Sequence, residues 1–206
     1  MKQLTVGRLV ERMRDALQLE HVAATGGLDR VIENADVSSP GLAVAGYVER
    51  FPATRLQVLG ETEVMYLRSL EPPLRRRQLS TFFSFPIPCV FITKGQVPLP
   101  DLVELASAAQ IGLIRSQLKT NEFYTRIKPW LEEEFAPTTN LHGSLADVFG
   151  VGLLMVGKSG IGKSECVLDL VERGHRLVAD DLVIARRRGT DILIGRPHER
   201  QHHHME

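Results

Sequence analysis

A glycine-rich segment between residues 157 and 164 has the residue types needed to bind phosphate. It fits the pattern G-x-x-x-x-G-K-S and ends in Gly162, Lys163 and Ser164. The glycines let the chain curl so that several backbone N–H groups point into one concave site. The lysine can place a positive charge on the outer phosphates, and the serine hydroxyl can bind a magnesium ion that bridges them. The segment therefore predicts a site for nucleotide phosphates.

The residues on either side have the patterns that such a site requires. The apolar run at 151–156 predicts a buried strand. After the loop, apolar residues recur with the spacing of a helix's buried face: Val167, Leu168, Leu170 and Val171. A strand, a turn and a helix in this order favour a phosphate-binding loop, or P-loop, over the alternative of a glycine-rich turn that binds nothing.

Two adjacent carboxylates, Asp180 and Asp181, follow a short predicted strand at 177–179. A carboxylate at a strand end after a P-loop can reach the magnesium ion or the nucleophile. Because alternate strand residues face opposite ways, the two aspartates need not do the same work. The alternative is a pair that only stabilises a turn or caps a helix.

Histidines supply the remaining candidates for chemistry. His142 lies near a strand start and is either structural or part of a site. The run 202–204 is a metal site, a purification-tag remnant or part of a polar strand, and three consecutive histidines do not present one face. Glu206 is the last residue and has no interpretation by itself.

The composition narrows the class of protein. The chain has 206 residues, with 25 basic and 25 acidic side chains, so it has no charge excess for nucleic acid or an anionic membrane. No apolar run approaches the roughly 18 residues of a membrane span, and charged residues interrupt the N-terminus where a signal peptide would be apolar. The cysteines, Cys89 and Cys166, lie in apolar segments and are predicted to be buried thiols. Together these features predict a cytoplasmic protein.

Strand and helix patterns alternate in the first part of the chain and predict a small parallel α/β domain. Thr5 is predicted to cap the first helix, and a later helix is predicted from Leu74 to Phe82. Pro129 should kink or split the helix at 121–135. The segment 136–140 is the best linker candidate, and the predicted domains are 1–133 and 134–206.

Three segments of the second domain together resemble the HPr kinase/phosphorylase family: Leu141–Gly143, Gly157–Glu165 and Arg173–Asp181. The first domain is similar to the same family at Pro40–Gly46, Gln57–Glu63 and Pro88–Thr93. The resemblance therefore covers essentially the whole chain, and the last run of the second domain is its most specific part.

The resemblance implies a bacterial, bifunctional enzyme. Members phosphorylate a regulatory serine of HPr, the small phosphocarrier of the sugar phosphotransferase system, with ATP or pyrophosphate and Mg²⁺. They also remove that phosphate by attack of inorganic phosphate, and they thereby control carbon metabolism. They are homohexamers with a Mur-ligase-like N-terminal domain and a catalytic domain that resembles phosphoenolpyruvate carboxykinase.

The same resemblance implies roles for individual residues. Lys163 is implied to be catalytic, and Asp181 to be the base that takes the serine proton. Asp180 is implied to support either Asp181 or the metal. His142 is implied to be an active-site histidine. Ser164 and Glu206 are implied to be magnesium ligands, with Glu206 at the start of a family motif, which argues against a tag remnant. The implied phosphate-binding residues are Gly157, Lys158, Ser159, Gly160, Ile161, Gly162, Lys163 and Ser164.

The sequence departs from the family's pattern because it stops at Glu206, where members continue. We therefore expect an incomplete catalytic domain with weak or absent kinase activity, and hexamer assembly is placed in doubt. Two other functions stay open: a P-loop kinase for a small molecule, and a nucleotide-binding regulatory module without catalysis.

Overall fold

The structure is a computed structural model that describes residues 3–23, 25–189 and 191–198, with the backbone alone for residues 23, 25 and 26. The chain forms two compact units, Met1–Phe135 and Ala136–Glu206. Each unit has its own buried apolar residues. Because compact packing does not by itself show that a unit folds alone, the domain bounds 1–133 and 134–206 remain a prediction.

The first unit contains five strands: β1 (Leu19–Ala23), β2 (Val37–Ser38), β3 (Leu56–Leu59), β4 (Cys89–Ile92) and β5 (Gly112–Ser116). They form one sheet with the order β1-β5-β4-β3-β2. Strands β2 to β5 pair in parallel, whereas β1 pairs antiparallel with β5. The unit is thus a parallel α/β structure with one antiparallel edge strand.

Six α-helices accompany this sheet: α1 (Val6–Met13), α2 (Gly41–Val44), α3 (Glu61–Ser69), α4 (Pro72–Phe83), α5 (Pro100–Ala108) and α6 (Thr120–Glu134). A 3₁₀ helix lies at Thr25–Asp29. Helices α1 and α6 contribute to one apolar cluster, and α3, α4 and α5 contribute to a second. Along β4, Phe91 belongs to the first cluster, whereas Val90 and Ile92 belong to the second. Successive strand residues point to opposite faces, so a strand covered on both sides is apolar at every position.

The helix ends in the first unit follow local sequence signals. The Thr5 hydroxyl oxygen accepts a hydrogen bond from the Arg8 backbone N–H, so Thr5 caps α1 as predicted. Helix α4 begins at Pro72 and not at Leu74. The predicted start was wrong because the first turn of a helix tolerates prolines, whose missing N–H would be unpaired there in any case.

Pro129 lies inside α6, which runs without interruption from Thr120 to Glu134. Of the two predicted outcomes, splitting of the helix is therefore wrong. The buried residues of α6 are Phe123, Ile127 and Leu131, whereas Pro129 lies on the exposed side. Packing of the apolar side holds the helix together across the proline.

In the described part of the second unit there are six strands and one helix: β6 (Thr138–His142), β7 (Ser144–Val148), β8 (Val151–Met155), α7 (Lys163–Glu172), β9 (Arg176–Ala179), β10 (Leu182–Arg188) and β11 (Ile192–Pro197). They form two antiparallel sheets, ordered β11-β10-β6 and β8-β7-β9. The predicted linker at 136–140 was wrong, because Thr138 to Asn140 pair with β10. Strands β7 and β8 are joined by a short turn at Phe149 and Gly150.

The strand before the P-loop is exposed, and the prediction that it is buried was wrong. In β8, Val151 and Leu153 are 69% and 46% exposed. Within the described residues β8 pairs only with β7, and α7 packs against β7 and β9. The side chains of β8 therefore lack the covering layer that buries a central strand.

Helix α7 buries less than its pattern predicts. Val167 is buried, whereas Leu168 and Val171 are exposed. The prediction for the cysteines holds for Cys89, whose burial raises the pKa of its thiol, but it is wrong for Cys166, which is exposed on α7. A helical pattern of apolar residues predicts which face can be buried, but not whether a neighbouring element covers it.

No helix among the described residues is both long enough and apolar enough to cross a membrane.

Candidate functional site

The P-loop joins β8 to α7 through glycines with backbone angles that side chains disfavour. Gly160 and Gly162 have φ angles of 80° and 93°, in the left-handed region. Gly162 is the N-cap residue of α7, and no side chain caps this helix end. The first intrahelical bond runs from the Cys166 N–H to the Gly162 carbonyl. The N–H groups before Cys166 therefore precede the intrahelical hydrogen bonds, which makes this helix end a potential anion site.

The ammonium group of Lys163 is held against the loop that precedes it. Its Nζ donates to the carbonyl oxygens of Gly157, at 2.9 Å, and Lys158, at 2.8 Å. An ammonium group has three N–H donors, so two of them close the loop and a third can point to a ligand. The lysine thus stabilises the curled loop and also supplies its positive charge.

A cavity of about 540 Å³ lies beside the P-loop, wholly within the second unit. Three separate stretches of chain line it: the junction of β6 and β7, the P-loop with the start of α7, and the turn after β9. Its lining residues are His142, Gly143, Ser144, Gly157, Ser159, Gly160, Gly162, Lys163, Ser164, Glu165 and Asp181. The cavity therefore brings the glycine-rich loop and Lys163 together with two acidic residues and a histidine.

The two aspartates occupy different positions. Asp181 lines the cavity, and its backbone has a φ angle of 62°, which is uncommon for a residue other than glycine. Asp180 is not among the lining residues. Its Oδ1 accepts hydrogen bonds from the Ser144 hydroxyl, at 2.5 Å, and from the Asp181 N–H, at 3.1 Å. The adjacent carboxylates are thus directed to different surroundings, and strand alternation is not the cause, because β9 ends at Ala179 and β10 begins at Leu182.

His142 is the last residue of β6, and it pairs with Leu182 of β10. The next residue, Gly143, donates its N–H to the Asp181 carbonyl at 3.2 Å. This bond brings the histidine segment and the aspartate segment to the same side of the cavity, although 39 positions of sequence separate His142 and Asp181.

Comparison with known protein families identifies the family of this chain. The model of the HPr Serine kinase N terminus matches residues 4–131, which is more than half of the chain. The chain belongs to the HPr serine kinase family. The model of the HPr Serine kinase C-terminal domain also matches, over residues 133–206.

Curated relatives in the HPr serine kinase family cover almost all of this chain. The HPr kinase/phosphorylase of Geobacillus thermodenitrificans is 42% identical over 93% of this chain and 62% of its own length. The HPr kinase/phosphorylase of Halalkalibacterium halodurans is 39% identical over 100% of this chain and 65% of its own length. The chain therefore spans less than two thirds of the length of these relatives.

A solved structure with local likeness is the Hpr(Ser) kinase/phosphatase from Coxiella burnetii. It has 37% identity and a TM-score of 0.26, and the match covers 28% of this chain and 34% of that one. This overlap is too limited for a comparison of the two folds.

The oxygen atoms in the cavity have the chemistry that Mg²⁺ prefers. Mg²⁺ in phosphate sites is held by one or two protein oxygens, water and the substrate's phosphates. The cavity offers the Ser164 hydroxyl and the carboxylates of Glu165 and Asp181. Among the described residues no three histidine, cysteine or acidic side chains form a metal-binding cluster. Glu206 and the histidines 202–204 lie outside the described residues.

The remaining residues of this family's implied phosphate site differ in position. Ser159 lines the cavity, whereas Lys158 and Ile161 are not among its lining residues. Lys158 contributes its carbonyl to Lys163, and Ile161 is 69% exposed. The eight consecutive residues thus form one loop, but only some of them face the cavity.

The sequence predictions missed Gly143 and Ser144 as parts of the site. A Cβ atom on Gly143 would lie 2.3 Å from the Met155 carbonyl oxygen, so only glycine fits there without a shift. Ser144 is a buried hydroxyl that points to Asp180. The available signal was a small polar residue beside a glycine at the start of an apolar strand, and this signal is too weak to interpret alone.

Proposed function

We propose that this chain is the part of a bifunctional serine kinase and phosphorylase that contains the P-loop. The proposed substrate is the phosphocarrier protein HPr, with ATP or pyrophosphate as phosphoryl donor. The reverse reaction would be phosphorolysis of the phosphoserine by inorganic phosphate, and the two reactions would control carbon metabolism. The curated relatives support this proposal by their name, HPr kinase/phosphorylase.

One observation carries the proposal: Lys163, Ser164, Asp181 and His142 line a single cavity within one unit. Phosphoryl transfer needs a cradle for the phosphates, a positive charge and an acceptor for the nucleophile's proton, held close together. This cavity has a residue type suited to each of these tasks.

In the forward direction, the P-loop N–H groups and Lys163 would bind the donor's phosphates and neutralise the charge that develops on the transferred group. Asp181 would take the proton of the attacking serine hydroxyl as the new phosphorus–oxygen bond forms and ADP leaves. Asp180 would hold Asp181 in place, and His142 would contact the reacting phosphate. The remaining loop residues, from Gly157 to Gly162, would form the wall of the phosphate site.

In the reverse direction, an oxygen of inorganic phosphate would attack the phosphorus of phosphoserine. The bond from phosphorus to the serine oxygen breaks, pyrophosphate forms, and Asp181 returns a proton to the serine. The forward reaction would leave Asp181 protonated, and the reverse reaction would need a protonated Asp181. The same carboxylate is therefore suited to both directions.

The proposed metal is Mg²⁺, which would neutralise charge between the donor's phosphates when it is bound. Ser164 would hold it from the cavity, and Glu206 would be a second ligand. Both assignments come from the family resemblance, and the oxygen donors of the cavity support the first of them.

The same proposal extends to the whole protein. By resemblance to the family, it would be a homohexamer that works in the cytoplasm, where the sugar phosphotransferase system supplies HPr. The first domain, 1–133, would be Mur-ligase-like, and the second, 134–206, would correspond to part of a domain related to phosphoenolpyruvate carboxykinase.

The first experiment is a calorimetric titration of this chain with ATP and Mg²⁺. We expect saturable binding in the parent and a loss of at least tenfold in affinity in Lys163→Ala, because a charge-assisted contact to phosphate is removed. Lys128→Ala is the control, since it removes an exposed lysine of α6 that belongs to the first unit and does not line the cavity. Equal losses in the two variants would contradict the proposed role of Lys163.

The second experiment separates transfer from binding. HPr and labelled ATP are added to the parent and to Asp181→Asn, and phosphoserine is measured by mass spectrometry. We expect weak transfer to HPr serine in the parent and a fall to the level of a reaction without protein in the variant, with ATP affinity retained. Binding without transfer in the parent would instead favour a regulatory nucleotide-binding module, and transfer to another acceptor would favour a different kinase.

A further inference from the structure

The hydroxyl of Ser144 is a buried polar group with a defined partner. Ser144 is the first residue of β7, is 3% exposed and donates to Asp180 Oδ1 at 2.5 Å. A hydrogen bond from a neutral hydroxyl to a carboxylate is among the stronger kinds in proteins. The serine therefore restrains the carboxylate that precedes Asp181.

That carboxylate oxygen also binds the backbone of Asp181. Asp180 Oδ1 accepts the Asp181 N–H at 3.1 Å, and the Asp181 carbonyl accepts the Gly143 N–H at 3.2 Å. Asp181 is thus held at both its N–H and its carbonyl, and both bonds lead back to the adjacent residues Gly143 and Ser144.

These bonds act on a residue in an uncommon conformation. Asp181 has a φ angle of 62°, and a residue other than glycine keeps a left-handed conformation only when its surroundings favour it. Its side chain is exposed and lines the cavity beside the P-loop. A change in this backbone conformation would move the carboxylate relative to the bound phosphates.

We propose that Ser144 is a positioning residue for phosphoryl transfer, acting through Asp180 on Asp181. Its hydroxyl fixes the Asp180 carboxylate, which fixes the Asp181 N–H and keeps the Asp181 side chain directed at the cavity. This inference deepens the proposed function, because it depends on Asp181 being the group that moves the serine proton.

The activity test compares Ser144→Ala with Ser144→Thr, which keeps a hydroxyl on the same carbon. We expect kcat for HPr phosphorylation to fall about 10- to 100-fold in the alanine variant, while KM for ATP changes less than twofold. The threonine variant should recover most of the lost kcat. Thr139→Ala, on the exposed part of β6, is the control and should behave like the parent.

A second measurement reports on the geometry without catalysis. Hydrogen exchange of the Asp181 amide, followed by NMR, should be about tenfold or more faster in Ser144→Ala than in the parent. The exchange rates of Val167 in α7 and of Val183 in β10 should stay the same. Equal acceleration at all of these amides would mean that the variant is only less stable, and this result would overturn the inference.

Failure of the positioning role of Ser144 and failure of the proposed function would give different results. An unchanged kcat and an unchanged Asp181 exchange rate in Ser144→Ala would each overturn the positioning role. A parent protein that binds ATP but transfers no phosphate would overturn the proposed function, and with it any role of Ser144 in transfer. In that case the exchange rate alone decides whether Ser144 fixes Asp181.

Discussion

At the scale of single residues, the pair formed by Lys94 and Glu61 has a measurable electrostatic effect. The Lys94 ammonium donates a hydrogen bond to the carboxylate of Glu61, and Glu61 is the first residue of α3. This hydrogen bond, together with the lysine's charge, lowers the pKa of Glu61 below its ordinary value of 4.5. Because the folded-state pKa is lowered, the pair stabilises the fold above that ordinary value, and this contribution disappears as the pH falls through the folded-state pKa.

We expect Lys94→Met to raise the pKa of Glu61 toward 4.5, because both the donor and the charge are removed. The measurement is a pH titration of the carboxyl carbon signals by NMR. Glu104 is the internal control, since Arg76 lowers its pKa by the same means at another place. A Glu61 pKa that stays low in Lys94→Met would contradict this origin of the shift.

Several functional residues could be predicted from the sequence because their chemistry is local. The spacing of the P-loop fixes Lys163 relative to the glycines, so its position against the loop follows from short-range geometry. The left-handed backbone of Asp181, its bond from the Gly143 N–H and the bond from Ser144 to Asp180 could not be predicted. They depend on contacts between segments that are distant in the chain, and no local pattern encodes such contacts.

At the scale of secondary-structure elements, helix α6 continues past Pro129, a residue that opposes helix formation. Pro129 has no N–H, so the carbonyl of Thr125 lacks its normal helical partner. Its exposed position means that the proline contributes little to the apolar packing of α6. The proline therefore makes the free energy of helix formation less favourable. The burial of Phe123, Ile127 and Leu131 outweighs this effect.

We expect Pro129→Ala to raise the free energy of unfolding of the first unit by about 1–3 kcal/mol, through a restored hydrogen bond and better helix propensity. Chemical denaturation followed by the fluorescence of Trp130 would measure it. Lys128→Ala is the control, because it changes a neighbouring exposed position without altering the backbone. A lower stability of Pro129→Ala would mean that α6 is shaped around the proline.

The same scale explains why β4 is buried whereas β8, which was predicted to be buried, is exposed. The apolar segments β4 and β8 look alike in sequence, but β4 lies between two strands and under helices on both faces, whereas β8 is an edge strand. Whether a strand is buried depends on which elements pack beside it. Its own apolar residues show only that it can be buried. The sequence pattern therefore predicted that β8 is a strand, but it did not predict which elements pack beside β8.

At the scale of the whole molecule, the two units differ in the size of their apolar cores. Both large clusters belong to the first unit, whereas the described core of the second consists of Leu145, Ala179 and Val183 with partly buried neighbours. Because apolar burial is the main favourable term in folding, the second unit should be the less stable of the two.

We expect two thermal transitions, with the second unit unfolding at the lower temperature. Trp130 is the only tryptophan and lies in the first unit, so its fluorescence should follow the upper transition alone, whereas calorimetry should detect both. ATP with Mg²⁺ at about 100 times its Kd should stabilise the second unit by about 2.7 kcal/mol and raise its transition. Lys163→Ala should abolish this shift.

A single transition that all probes report together would contradict separate unfolding. It would also argue against the domain bounds 1–133 and 134–206.

The antiparallel edge strand of the first unit has a consequence for synthesis on the ribosome. Among the described residues strand β1 pairs only with β5, and its partner residues follow it by about 90 positions in the chain. At a translation rate of roughly 5–20 residues per second, the first strand must wait on the order of 5–20 s before its partner emerges. During that time the apolar side of α1, including Leu9 and Val10, lacks its partners from later in the chain. These apolar side chains therefore stay exposed during synthesis for longer than those of the parallel strands, whose pairing partners lie closer in the sequence.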